Sequence, residues 1–242
     1  MGNSTSFADL YKTEWQGTWA LWVVPVVFLA FLLISSRERD RRESTQVEEA
    51  FLGGWMLFWT LETLLDSLAT GPLTRWLGLQ GTDAATGIML FFVLAGDLRV
   101  FQLVFRLARP NDGFALSLRR ALKWMLLVPI FSWWMDQGMR QVWPDLPGQT
   151  LWLTYELAFL GLALYLRQGW LTVKASNCSA QRLRGLRHVL GFVAVYYALW
   201  AGADFLILVG GFDAGWLVRM VPNQLYYAFF VPFCWLVLVR SR

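Results

Sequence analysis

Seven apolar windows, each close to the ~20 residues an α-helix needs to cross a bilayer, follow one another along this chain with only short polar intervals between them. They cover residues 18–36, 50–70, 85–107, 119–138, 149–168, 188–210 and 216–239. In hydrocarbon every backbone N–H and C=O must find a partner inside the protein, so such windows admit helices and little else. The expected fold is an all-α integral membrane protein, a seven-transmembrane-helix bundle forming one domain over residues 1–242. Charged residues make up 16% of the chain, against about 25% in a soluble domain. Turn signals fall between the windows: Gly71-Pro72, Pro110-Asn111-Asp112-Gly113, Pro144 with Pro147-Gly148, and Gly210-Gly211-Phe212-Asp213.

Orientation follows from Lys and Arg, which accumulate in cytoplasmic loops. One set of intervals holds Arg37, Arg39, Arg41, Arg42, Arg106, Arg109, Arg119, Arg120 and Lys123. The same side continues with Arg167, Lys174, Arg182, Arg184, Arg187, Arg240 and Arg242. The opposite side has Lys12, Arg75, Arg140 and Arg219, a division of 16 against 4, with Arg99 inside a span. The N-terminus is expected outside and the C-terminus in the cytoplasm, in a bacterial inner membrane or a plasma membrane. The pI near 9.3 is then a loop signature suited to anionic headgroups and requires no nucleic acid. A myristoylation-like Met1-Gly2 and the sequon Asn3-Ser4-Thr5 are short matches that demand opposite sides of the membrane, and neither is credited.

Six acidic residues fall within the windows: Glu62, Asp66, Asp97, Asp136, Glu156 and Asp204. A carboxylate at the bilayer centre costs roughly 2.5–3.5 kcal/mol on insertion scales, so these groups are expected to face the bundle interior and mark a site. Helical spacing aligns Trp55, Trp59, Glu62 and Asp66 on one stripe, and Tyr197, Trp200 and Asp204 on another. In the last window Asn223 sits one turn from Tyr226 and Tyr227, next to Pro222. Asp97 and Arg99 point about 160° apart on a helix and need different partners, for Arg99 an acid such as Glu62. Asp136 is expected at a solvated helix end. Counting from the window ends puts most of these groups towards the outer side.

The expected site is therefore an acid- and aromatic-lined pocket open to that side. Its ligand-binding residues are Glu62, Asp66, Asp97, Arg99, Glu156, Asp204 and Asn223. Its aromatic lining is Trp59, Trp133, Tyr197, Trp200, Tyr226 and Tyr227. Six carboxyl groups beside a single intramembrane cation imply that several hold a proton or that a cation joins them. Aromatic faces next to carboxylates suit an organic ammonium. Asp66, Asp136 and Asp204 each follow aromatic residues in an outward-running span, a pattern that a threefold repeat of helix pairs would give. No longer motif repeats, however, and coincidence in Trp-rich helices is favoured.

Much chemistry is excluded. Seven spans with the N-terminus outside is also the layout of retinal proteins, but these need a lysine in the last span. The lysines here are Lys12, Lys123 and Lys174. Arg99 and Arg106 are too sparse for a voltage sensor, whose arginines recur every third residue. His188, the single histidine, cannot supply paired haem ligands or a His-rich zinc site. Cys178 and Cys234 suggest no disulfide framework, and no hydrolase, zincin or phosphate-loop motif is present. No cofactor is expected, and an enzyme is not favoured. The leading expectation is a small transporter, channel or binding protein for protons or another cation. A receptor-like or scaffold subunit, docking a cytoplasmic or membrane partner protein through residues 37–49, is the alternative. A lipid- or isoprenoid-handling enzyme is the third.

Overall fold

The computed structural model describes residues 6–14, 19–40, 47–175 and 178–240, and these are all-helical, without a strand. The two N-terminal motif matches and the cluster Arg41–Arg42 lie outside the described residues, as do the side chains of residues 36–49 proposed for partner docking.

Each apolar window coincides with one helix, except that the first begins at residue 18, outside the described residues, and the sixth runs two residues past its helix. A short α1 (Phe7–Glu14) precedes α2 (Trp19–Asp40). Helix α3 begins at Val47 and continues past Leu68 through a π-turn, Ala69–Leu73, to Trp76. Then come α4 (Asp83–Ala108) and α5 (Phe114–Val142). Helix α6 (Gln149–Tyr165) runs on through the π-turn Leu166–Trp170 to Lys174. The chain ends with α7 (Ala180–Leu208) and α8 (Gly215–Arg240). Caps written in the sequence open three of them. Ser6 Oγ accepts from the Asp9 amide, the N-cap half of a capping box, and donates to the Asp9 carboxylate. Thr82 and Ser179 accept from the amides of Ala85 and Arg182.

Three helices, α4, α7 and α8, are long and apolar enough to cross a membrane, and α2 carries a shorter apolar stretch, Leu21–Ser35. Consecutive helices from α2 to α8 pack side by side, and α8 returns against α2, so the bundle closes on itself. Helix α4 also reaches α7. Its second half is the centre of the molecule: from Gly96 to Ala108 every residue except Leu98 and Arg106 is buried. Around it lie Phe101, Phe105, Phe159, Leu103, Leu166 and Leu190, all at most 1% exposed. Large apolar side chains point outwards from α2, α3, α4, α5 and α7, among them Val27, Phe58, Leu65, Phe91, Ile130 and Phe205.

Three local expectations need correction. The turn expected at Gly71-Pro72 is a π-turn within α3, and the chain reverses only after Trp76. Proline removes an amide and crowds the preceding turn. The wider turn accommodates it, and the Thr70 and Thr74 hydroxyls bond the carbonyls of Asp66 (2.8 Å) and Gly71 (2.9 Å). The sixth window starts eight residues late, since α7 begins at Ala180 and carries His188 in its third turn. The three aspartates of the repeat-like pattern occupy different surroundings. Asp66 lines a cavity, Asp204 is fully buried behind it, and Asp136 pairs with Arg140 on its own helix at 2.8 Å. Asp136 is accordingly buried rather than solvated, because α5 runs a further turn and folds Arg140 back over it.

Candidate functional site: an aromatic and carboxylate cavity

Beside the mostly exposed first half of α4, a cavity of ≈ 520 Å³ lies at the end of the bundle where α1 sits. Helix α3 contributes Asp66, Thr70 and Thr74, and α4 contributes Thr86, Met89 and Val93. Trp152, Tyr155 and Glu156 come from α6, and Tyr197 and Trp200 from α7. Helix α8 supplies Trp216, Arg219, Asn223, Tyr226 and Tyr227, and Tyr11 reaches in from α1. On α8 Asn223, Tyr226 and Tyr227 fall at i, i+3 and i+4 and so share one wall, in the stretch where the π-turn Gln224–Phe229 follows Pro222.

Three polar networks surround the cavity. In the floor, Asp97 is fully buried and accepts hydrogen bonds from the Tyr155 and Tyr197 hydroxyls, the latter at 2.5 Å. Both tyrosines also line the cavity, so they separate the carboxylate from the ligand space while remaining bonded to it. Tyr197 is held by stacking on Phe159, with ring centroids 4.3 Å apart.

On the wall formed by α6, α7 and α8, Arg219 bonds Asp204 and, at 3.2 Å, Glu156 Oε1. Gln149 donates to the other Asp204 oxygen at 2.6 Å. Glu156 Oε2, although buried, makes no hydrogen bond to a described residue. Asn223 accepts from Trp200 Nε1 at 2.8 Å and donates to the Tyr11 hydroxyl at 2.9 Å. Tyr11 also packs on Trp216. Helix α1 is fixed over the mouth from its other end too, since the Asp213 carboxylate accepts from the amides of Phe7 and Ala8 at 2.6 and 3.2 Å.

The third network lies one level deeper. Arg99 donates to Thr63 Oγ1 at 3.0 Å and to the Tyr226 carbonyl at 2.7 Å, and it lies 3.9 Å from Glu62. Its guanidinium sits over the Tyr226 and Phe230 rings, at 4.2 and 4.8 Å, which spreads the charge over aromatic faces where water is excluded. Gly96 makes this layer possible: a Cβ there would collide with the Tyr226 hydroxyl. As their opposed directions on α4 require, Asp97 and Arg99 serve different neighbours.

Of the site residues expected from sequence, Asp66, Glu156, Asn223, Tyr197, Trp200, Tyr226 and Tyr227 line one cavity. Glu62, Asp97, Arg99 and Asp204 form the layer behind it. Trp59 is also behind it, donating to Gln102 Oε1 at 3.1 Å. Trp133 does not belong to the site: it is 59% exposed and faces outwards from α5, a helix that supplies none of the lining. Tyr11, Tyr155, Trp152 and Gln149 were missed. The only sequence signal for Tyr11 was the Ser6-Phe7-Ala8-Asp9 capping box, which marks a helix in what otherwise reads as a polar terminus.

Around the cavity five carboxyl groups, Glu62, Asp66, Asp97, Glu156 and Asp204, accompany three guanidiniums, Arg75, Arg99 and Arg219. Arg219 is committed to Asp204 and Glu156, and Arg99 to the deeper layer. The five carboxyl groups thus outnumber the three guanidiniums, and Trp and Tyr rings line the same cavity. No family model matches the chain, and no curated protein or solved structure matches it either.

Proposed function

We propose that the chain is a polytopic membrane protein of seven spans, N-terminus outside and C-terminus in the cytoplasm, whose outward cavity binds a small organic ammonium ion. The spans would be α2 to α8. Beyond the three most apolar helices, α3 and α5 turn Phe58, Leu65, Ile130 and Trp134 outwards, each at least 57% exposed. An apolar exterior of that extent is a liability in water and suits lipid. The 16-to-4 division of Lys and Arg sets the orientation.

One observation carries the ligand class. Glu156 Oε2 is a buried acceptor with no bonded partner among the described residues, on the wall of a cavity that Asp66 and a set of Trp and Tyr rings also line. A carboxylate and aromatic faces together favour a soft cation, which gains Coulomb and cation–π attraction and has few hydrogen bonds to lose on leaving water. Among the described residues no three acids, histidines or cysteines converge as a metal site, which supports an organic cation over a metal ion. Below the floor Phe101, Phe105 and Phe159 form a packed aromatic layer. A binding protein, or a carrier in its outward conformation, fits this better than an open channel.

The test is the unfolding temperature of the detergent-purified protein across a series of alkylammonium ions and Na⁺. Saturable stabilisation by an organic ammonium is expected, since a ligand that binds only the folded state raises its stability by mass action. The effect should vanish in Glu156→Gln and in Asp66→Asn. A response equal for every ion, or unchanged in both variants, rules the reading out.

A further inference from the structure

At the opposite end of the bundle a second hollow, of ≈ 780 Å³, opens between the start of α7 and the end of α8. Arg184, His188 and Arg240 stand around it, over an apolar wall that includes Gly185, Leu236 and Val237. On α7 the three positions 184, 185 and 188 fall at i, i+1 and i+4, on one side of the helix. Gly185 lets the helices meet: a Cβ there would lie 2.8 Å from Leu238 Cδ2 and 3.1 Å from the Val237 carbonyl. That close approach brings the Arg240 end of α8 up to the Arg184 turn of α7. Neither arginine has an acidic partner among the described residues. By contrast Arg109 and Arg120, in another loop of the same end, share Asp112.

We propose that this groove binds the phosphate headgroup of an anionic phospholipid, with an acyl chain against Leu236 and Val237. The charges match a phosphodiester, and the apolar wall continues along two of the helices that are long enough to cross a membrane. Basic hollows between spans at the cytoplasmic side are where anionic headgroups are held. The site is independent of the ammonium cavity and rests only on the membrane-spanning reading.

The experiment titrates the detergent-solubilised protein with phosphatidylglycerol, phosphatidylcholine or inorganic phosphate and follows thermal unfolding. Three proteins are compared: the natural chain, Arg184→Gln with Arg240→Gln, and Arg119→Gln with Lys123→Gln. The last pair removes equal charge from exposed positions elsewhere at the same end. Saturable stabilisation by phosphatidylglycerol alone is expected. Its half-saturation should weaken about 30-fold in the Arg184/Arg240 pair, from ~1 kcal/mol for each basic side chain at an anionic surface, and stay unchanged in the control pair. Equal stabilisation by phosphatidylcholine overturns the proposal, as does equal weakening in the two pairs. Inorganic phosphate that saturates the effect by itself overturns it as well, by making the groove a free-anion site.

Discussion

Helix α4 passes through two environments, and the difference between its halves explains the molecule. From Asp83 to Val93 it is mostly exposed and forms one wall of a cavity, while from Gly96 to Ala108 it is buried almost all round. The boundary holds Asp97 and Arg99, two charged groups in adjacent turns facing opposite directions. Charge is tolerated at that level because each group has dedicated partners: two phenols for Asp97, and a hydroxyl, a carbonyl, an acid and two aromatic rings for Arg99. One turn deeper the same helix carries Val100, Phe101, Leu103 and Val104, all buried, and the one polar side chain among them, Gln102, accepts from Trp59. The lesson is that the cavity ends where paired charges form its floor.

The most severe way to break this contrast is Arg99→Met, which leaves Glu62 buried beside Thr63 without a cation. Removing one partner of a buried pair costs ~3–5 kcal/mol, to be read as a lower denaturation midpoint in detergent. Replacing Glu62 by Met as well should recover much of that loss. If the double variant is no more stable than the single one, the pairing at 3.9 Å does not matter energetically.

A smaller effect is expected at the packing contact that seals the floor. Gly96→Ala must displace the Tyr226 hydroxyl, and overpacking of this kind costs ~1–3 kcal/mol. Gly54→Ala, where a Cβ meets no atom within 4 Å, should change stability by no more than about 1 kcal/mol. Equal costs at the two glycines would remove the distinction between sealed floor and open helix face.

Asp136 and Asp66 sharpen the comparison functionally. Asp136→Asn should keep the ammonium response, because Asp136 is bonded to Arg140 and lies outside the cavity lining, whereas Asp66→Asn should lose it. The same titration compares both variants. The smallest expected change is Tyr11→Phe. It removes the acceptor of the Asn223 amide and should cost about 0.5–1.5 kcal/mol, with faster labelling of a cysteine placed at Thr86 if α1 covers the mouth.

Helix positions were largely legible in the sequence because burial and lipid exposure both demand long apolar runs, and a run of that length has one secondary structure open to it. Each window coincides with one helix, with errors at the ends, mostly where polar residues extend helices past the apolar stretch, as at Ala180 and Trp76. Part of the site was legible for a related reason. Acids in apolar windows are costly enough to be placed deliberately, and Asp66, Glu156 and Asn223 do share one cavity. Trp133 misled because spacing on one helix says which residues share a face and nothing about where that face points. Tyr155 and Gln149 went unnoticed because a tyrosine or glutamine in a Trp-rich membrane segment carries no cost that singles it out.

The sequence by itself determined an all-helical chain with helices apolar enough to cross a membrane, through hydropathy and the backbone's need for hydrogen bonds. Only the tertiary structure decided which face of each helix looks inwards and how the charges pair. It placed Arg219 between Asp204 and Glu156, put two phenols on Asp97, and laid Tyr11 against Asn223 from 212 residues away. Those choices depend on helix rotation and register between distant segments, which are fixed by side chains interlocking across the bundle and leave no trace in local periodicity.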